Sequence, residues 1–418
     1  MTVLVFYVAL FAIAFALVSF IRRRMAPESD FTSLKTVTFG DESAVKPDRW
    51  ASVISIVVIF LIWGAFTGSK YAPVHVPGPF SGATQFAYTA ENPAGDRDEA
   101  TVDVIVHEAG KREDAPEVEA GDGFANNDAA AVQMWRSVLI RANQNDDGEG
   151  VRVIQIDGQP IAPEQSVDVA DGTVTMTAKG SLNFVPDRGM QMEPIWLPSP
   201  EGVVQRFFEI ASTGYQNFTL WQHLGWSLLR VIVGFVLGAI VGIPLGYAMG
   251  LSGWFRGWFD PIVEFMRPVP PLALIPLVII WFGIWETGKI VLLFLAALWI
   301  MIIAARAGVS GVNITKIHAA YSLGASKWQI MRHVIIPNSL PEIFTGARVA
   351  MGVCWGTVVA AELVAAQKGA GMMIIAASKF QLTDIVIMGI VLIGIIGYSI
   401  DILMRHAENW LVPWKGRS

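Results

Sequence analysis

Apolar residues along this chain are gathered into long runs instead of recurring with a helical or alternating period. Seven runs, at 3–21, 51–68, 226–250, 266–284, 289–305, 344–366 and 385–404, approach the ~20 residues that a bilayer-spanning helix needs. Between the second and third runs the pattern changes. Alternating stretches at Thr101–Val106, Val151–Ile156 and Thr173–Thr177 predict strands, and Asp157-Gly158 and Asp171-Gly172 supply turns beside the last two. Across Asp128–Asn143 the apolar Val132, Trp135, Leu139 and Ile140 fall at helical spacing, which predicts a helix. Taken together, the pattern predicts an all-α polytopic membrane protein of about seven transmembrane helices with an inserted small α+β domain.

Three parts follow along the chain. Residues 1–70 read as two transmembrane helices joined by a cytoplasmic linker, 71–195 as an external α+β domain, and 196–418 as a five-span core. The core opens with the rigid Leu197-Pro198-Ser199-Pro200. Val203, Val204, Phe207, Phe208 and Ile210 then predict an amphipathic helix lying flat on the outer interface.

Composition sharpens this picture. The chain is 53% hydrophobic and 16% charged, where a soluble domain carries about 25% charged residues. One cysteine, Cys354, lies inside an apolar run, and six histidines show no paired metal-binding spacing. Disulfides, thiolate metal sites and cysteine redox chemistry are therefore not expected, and a zinc site is unsupported. Arg22-Arg23-Arg24 follow the first run, so the positive-inside rule puts the N-terminus outside and residues 22–49 inside. From there 69–225 lie outside, 306–343 inside, and the tail with Arg405, Lys415 and Arg417 inside. Residues 71–200 carry 21 acidic against 8 basic side chains in a chain of net charge −6, so the remainder is basic. The connections 108–127 and 143–150 are polar and read as mobile loops. Within them Asp146–Gly150 departs from the calcium-loop pattern and reads as a solvated acidic turn.

Candidate chemistry is sparse. Gly234, Gly238, Gly242, Gly246 and Gly250 recur every four residues, a small-residue face for close packing within the chain or with a second copy. Pro268, Pro270, Pro271 and Pro276 predict a broken segment, serving either packing or pore gating. Glu362 is an ionisable residue inside a span, placed to meet a cationic substrate group or to pair with Arg230 or Arg348. Between the spans at 289–305 and 344–366 lies His318–Pro341, a short small-residue helix around 316–330 that suits docking into a partner's groove. There Ala319, Ala320, Ser322, Gly324 and Ala325 allow close approach, and Leu323 and Trp328 offer groove-filling side chains. Pro337 and Pro341 are expected to end that helix and set the angle of the next span.

These residues carry a family resemblance. His318-Ala319-Ala320, then Gly324 after three residues, then Val334-Ile335-Ile336-Pro337 after nine more, keep the spacing of the cytoplasmic motif of ABC importer permeases. In that motif an acidic residue stands where this chain has His318, so the acidic contact is not carried over. Leu197–Pro200, Thr219–His223, Arg267–Leu277, Ile280–Ile284 and Ala360–Ala366 resemble the branch handling taurine, alkanesulfonates and nitrate, the taurine side most. The resemblance implies a type I importer core in the bacterial inner membrane, acting as a homodimer. It implies two separate ATPase subunits that bind ATP and Mg, and a periplasmic binding protein that delivers substrate. Consistently, the chain has no GxxxxGK[ST] phosphate loop and is not expected to be an enzyme. Taurine or a related sulfonate is the implied cargo. Nitrate, another small anion or a pyrimidine precursor is the alternative, and an ion-driven transporter a remoter one. The first helix and residues 71–195 have no counterpart in a typical member, which suggests an accessory domain near the pore entrance.

Overall fold

Six of the apolar runs fold as unbroken helices among the described residues, while the run at 266–284 holds only the helical arm Pro271–Phe282, which a sharp bend joins to a preceding helix, Gly253–Met266, that the run did not include. The structure is a computed structural model describing residues 2–25, 49–108, 111, 113–119, 121, 123–148 and 150–414. The linker at 26–48, the side chains of Arg22–Arg24 and parts of the two polar connections lie outside the described residues. The chain divides into two units, residues 1–201 and 202–418.

In the first unit α1 (Thr2–Met25) and α2 (Arg49–Thr67) pack through Tyr7, Ala65 and Ala72. The Tyr7 hydroxyl donates to Val74 O at 2.9 Å. Nine strands follow: β1 (Gly82–Glu91), β2 (Arg97–His107), β3 (Asp128–Gln133), β4 (Val138–Ile140), β5 (Arg152–Ile156), β6 (Gln159–Pro160), β7 (Ser166–Val169), β8 (Gly172–Met176) and β9 (Leu182–Pro186). They form two sheets, ordered β3-β2-β1-β5-β6 and β4-β9-β8-β7. Every pairing is antiparallel except that of β2 with β3. Period-2 alternation turns Ala100, Val102, Val104 and Val106 of β2 inward. Phe86 and Phe184 stack across the two sheets at 5.8 Å, centring one shared core.

The helix expected over Asp128–Asn143 is therefore corrected. That stretch is β3, a turn, β4 and a short 3-10 turn (Ala142–Gln144). Trp135 sits in the turn at φ +62°, a conformation no helix contains. Among the described residues the inserted domain is a β-sandwich and not α+β.

Both ends of the sandwich return to the end of α2. Met192 N donates to Phe66 O at 2.8 Å, and the Trp63 indole to Pro198 O at 2.9 Å. Glu201 accepts from the Ser69 hydroxyl at 2.7 Å and from Lys70 N at 3.1 Å.

One buried acid gives the sandwich a pH dependence. Among the described residues, Asp128 Oδ2 and Asp146 Oδ2 are buried without a hydrogen-bond partner. Burial, and then the Asp146 charge, push the Asp128 carboxyl up to about 6, against one bond from the Asn145 side chain. Because the folded value exceeds the ordinary 3.8, the fold prefers the protonated acid. Stability falls as pH rises through that interval and is regained on acidification. We expect amide protection in β3, corrected for intrinsic exchange, to rise between about pH 7.5 and 5. Asp146 is pushed up by burial as well, so Asp128→Asn should reduce that rise in hydrogen exchange of the full chain, and an unchanged slope would assign it to other groups.

The second unit contains most of α3 (Pro200–Thr213), then α4 (Leu220–Leu251), α5 (Gly253–Met266), α6 (Ile275–Phe282) and α7 (Glu286–Ser310). The series continues with α8 (Ile314–Ser322), α9 (Lys327–Ile330), α10 (Ile336–Ala365), α11 (Ala370–Lys379) and α12 (Thr383–Leu411). Thr219 and Gln222 close a capping box at the start of α4. The glycine face of α4 settles against α7 inside the same chain. An added Cβ at Gly238 would lie 2.6 Å from Ala297 Cβ, and one at Gly246 2.5 Å from Ile302 O. Of the two uses open to that face, this chain's own packing takes it. Arg206 of α3 pairs with Asp384 at the start of α12 at 2.6 Å.

The four prolines act where the chain turns. Pro268 follows α5, Pro270 precedes a 3-10 turn (Pro271–Leu274) begun by Pro271, and Pro276 stands in the first turn of α6. The two arms, Gly253–Met266 and Pro271–Phe282, are bent by 92°. Pro268, Pro270 and Pro271 stand before or at the start of the second arm, where a first turn leaves its N–H groups unbonded anyway, and Pro276 withholds a donor where the 3-10 turn passes into α6.

Candidate functional site

Two regions of the second unit gather the candidate residues. One is the connection between α7 and α10. Asn313 starts α8 by accepting from Thr315 N at 2.8 Å. The helix stops at Gly324, whose φ of +77° suits a residue without a Cβ. Ser326 and Gln329 then form a capping box that starts α9. Both ends of this short segment are thus fixed by local bonds, independent of any partner.

Its surface is unusual for its chemistry. Leu323 is 87% exposed and Trp328 68% exposed. Ala319, Ser322 and Gly324 are exposed beside them, with Ala320, Ala325 and Pro337 half-buried. A groove of about 340 Å³ runs along Ala320, Leu323, Gly324 and Ala325 toward His333. Two large apolar side chains standing on a small-residue platform are the elements of a docking knob.

Pro337 and Pro341 do not end the helix as expected. A π-helical turn (Met331–Ile335) joins α9 to α10, with Pro337 in the first turn of α10 and Pro341 inside it. Pro341 has no N–H to give to Pro337 O four residues back. The Trp414 indole donates to that oxygen instead, at 3.1 Å, so the helix continues.

The second region lies where α4, α7, α10 and α11 meet. Arg230 of α4 is 1% exposed. Its guanidinium reaches Glu362 Oε1 of α10 at 2.6 Å, Glu286 of α7 at 2.5 and 2.8 Å, and Lys368 O at 2.9 Å. Lys289 donates to Glu286 at 3.0 Å. The Ser227 hydroxyl lies 2.8 Å from Glu362 Oε1 and accepts from Ala370 N at 2.9 Å. Gly371 N donates to Glu362 Oε2 at 3.0 Å. Each oxygen of Glu362 is therefore bonded within the protein. His223, fully buried, meets Gly369 N at 3.1 Å and Gly369 O at 3.2 Å through Nδ1, and Tyr215 O at 3.0 Å through Nε2. At Gly369 a Cβ would fall 2.3 Å from the Glu362 carboxyl carbon.

Of the two basic partners open to Glu362, the structure takes Arg230, while Arg348 instead meets Asp401 and Glu408 of α12 at 3.3 and 3.7 Å. Glu362 serves as a structural clamp that holds the start of α11 to α4. Sequence reading missed Ser227, His223, Gly369 and the link from Arg230 to Glu286. The available signal was Arg230 itself, a charge inside a span, which must find a partner. Pro268, Pro270 and Pro276 are exposed and Pro271 is half-buried; all four stand at the bend.

Beside the clamp a cavity of about 620 Å³ is lined by Trp285, Glu286, Lys289, Lys368 and Lys379 among others. The Lys368 ammonium lies 3.4 Å from the centre of the Trp226 ring, an arrangement that positions the cation.

Residues 234–412 match the sequence profile of the family described as "Binding-protein-dependent transport system inner membrane component". The chain is 47% identical over 226 residues to the taurine transport system permease protein TauC of Escherichia coli (strain K12), spanning 54% of this chain and 82% of that protein. It is 40% identical over 219 residues to the putative aliphatic sulfonates transport permease protein SsuC of the same organism, spanning 52% and 82%. Among solved structures, the MetNI methionine ABC transporter in an inward-facing conformation is similar at a TM-score of 0.41 and 21% identity, over 46% of this chain and 95% of that one.

Proposed function

The chain belongs to the inner-membrane permease components of binding-protein-dependent ABC importers, and from that premise we propose that it moves taurine or a related small sulfonate into the cytoplasm by alternating access. Members of this family are transport subunits and not enzymes, and they work with an ATPase and a binding protein. On our reading two copies form the pore, two ATPase subunits dock beneath them, and those subunits bind the ATP and Mg. The N-terminus and residues 71–195 face the periplasm, the C-terminus faces the cytoplasm, and the sandwich is an accessory to substrate delivery. Deleting 73–194 while keeping both tethers should lower uptake or binding-protein affinity, and no change in either would remove that role.

The observation that carries the reading is the α8–α9 segment. It holds Leu323 and Trp328 in water on a locally capped scaffold, at the position of the family's cytoplasmic motif. Fully burying a side chain of this size is worth about 1.5–3 kcal/mol. Leu323→Glu with Trp328→Glu should therefore weaken ATPase binding by more than about 100-fold, measured by interferometry on chain embedded in nanodiscs. Unaltered binding would place the contact elsewhere. The cargo half of the proposal rests on the similarity to taurine and sulfonate permeases. Competition of labelled taurine uptake by alkanesulfonates, but not by nitrate, is the expected pattern.

A further inference from the structure

Resting on the importer reading above, we infer that the cavity beside the Arg230 clamp is an anion-selective site that takes the sulfonate group of the cargo through Lys368 and Lys379. The inference starts from charge. Among the described residues, Arg230, Lys289, Lys368 and Lys379 stand around the cavity against Glu286 and Glu362. Both carboxylates are already engaged. Glu362 is held by Arg230, and Glu286 by Arg230 and Lys289. Among the described residues neither Lys368 nor Lys379 has a carboxylate within ion-pair distance, so these two carry the uncompensated charge.

The wall around them raises the value of that charge. Trp285, Met372, Ile375 and Phe380 share the lining, and a concave site with low-dielectric walls focuses the field of its lysines. Lys368 is fixed by its approach to Trp226, with Phe218 on another side at 5.9 Å. A cation held in place without a counter-charge is one that a ligand can complete. The volume of about 620 Å³ falls within the range of small-molecule sites.

The buried Cys354 makes the test direct, because a single added thiol can be read in the otherwise native chain. Ala376→Cys places one in the cavity lining, and Ser322→Cys, exposed on the α8 surface, serves as reference. Each variant in nanodiscs is labelled with two methanethiosulfonates, one bearing an ethylsulfonate and one a trimethylammonium. The sulfonate reagent should gain about tenfold over the cationic one at position 376 relative to position 322. Lys368→Glu with Lys379→Glu should invert the preference, and taurine should slow sulfonate labelling at 376 alone. Equal ratios at the two positions, or a ratio unmoved by charge reversal, would overturn the inference. A lipid phosphate is the competing occupant that the same labelling distinguishes. Preference that vanishes when phosphatidylglycerol is added, with no protection by taurine, would assign the cavity to lipid and also overturn it. The labelling needs neither ATPase nor binding protein, so it fails independently of the transport reading. Taurine-stimulated ATP turnover without labelling preference removes only this site. Preference with taurine protection but no stimulation removes only the transport reading.

Discussion

Arg230→Met will destabilise the membrane core by about 3–5 kcal/mol, the usual cost of removing one partner from a buried ion pair. Methionine fills much of the same space, so the loss is electrostatic. Glu362, 1% exposed, would keep the Ser227 hydroxyl and the Gly371 amide but face no cation. Glu286 would retain Lys289, and the uncompensated charge therefore concentrates on Glu362. Adding Glu362→Gln should recover a substantial part of the loss, because the neutral amide no longer needs the guanidinium. Cys354, the single cysteine, is buried, so a thiol-reactive fluorophore reports thermal unfolding without further engineering. Equal melting of Arg230→Met and the unaltered chain would show that the clamp is not what joins α4, α7 and α10.

The second large effect concerns the glycine face. Gly238→Val should cost about 1–3 kcal/mol or more as an overpacked contact. The reason is that its Cβ would meet Ala297 Cβ at 2.6 Å and Leu298 N and Phe294 O at 3.0 Å each. Backbone atoms are among those neighbours, so no rotamer change relieves the clash and α4 must move off α7. Gly225 stands on the same helix with nothing within 4 Å of an added Cβ. There alanine should be neutral or stabilise by a few tenths of a kcal/mol through helix propensity. The same thiol-reactive melting assay compares the two. Similar losses at 225 and 238 would mean that glycine is needed for flexibility and not for contact.

Much of this architecture is legible in the sequence because lipid leaves few choices. A run of ~20 apolar residues has to satisfy its backbone internally, so it becomes a helix. Four prolines within Arg267–Leu277 announced a break, and the 92° bend is the result. The glycine face was visible, but its partner was not. Period-four spacing says that something packs closely, while Leu293, Ala297, Met301 and Ala305 of α7 are identified only by the fold. Asp128–Asn143 misled for a physical reason. Two short strands and a turn place Val132, Leu139 and Ile140 at intervals that a 3.6-residue period also fits. Ala130 and Val132 are buried as strand alternates, and Trp135 as a turn residue takes a left-handed conformation. Pro337 and Pro341 misled because the compensating donor, Trp414, is distant in sequence. Glu362 was correctly singled out, but whether its partner was substrate or protein depended on where α4 would place Arg230.

On the proposed function, this chain converts ATP turnover in a partner into movement of its spans. The most direct test is ATPase activity of the chain reconstituted in nanodiscs with its ATPase and binding protein. Taurine-loaded binding protein should raise turnover, and Leu323→Glu with Trp328→Glu should remove the increase. Failure to recruit an ATPase, or stimulation that survives the double substitution, would contradict the account.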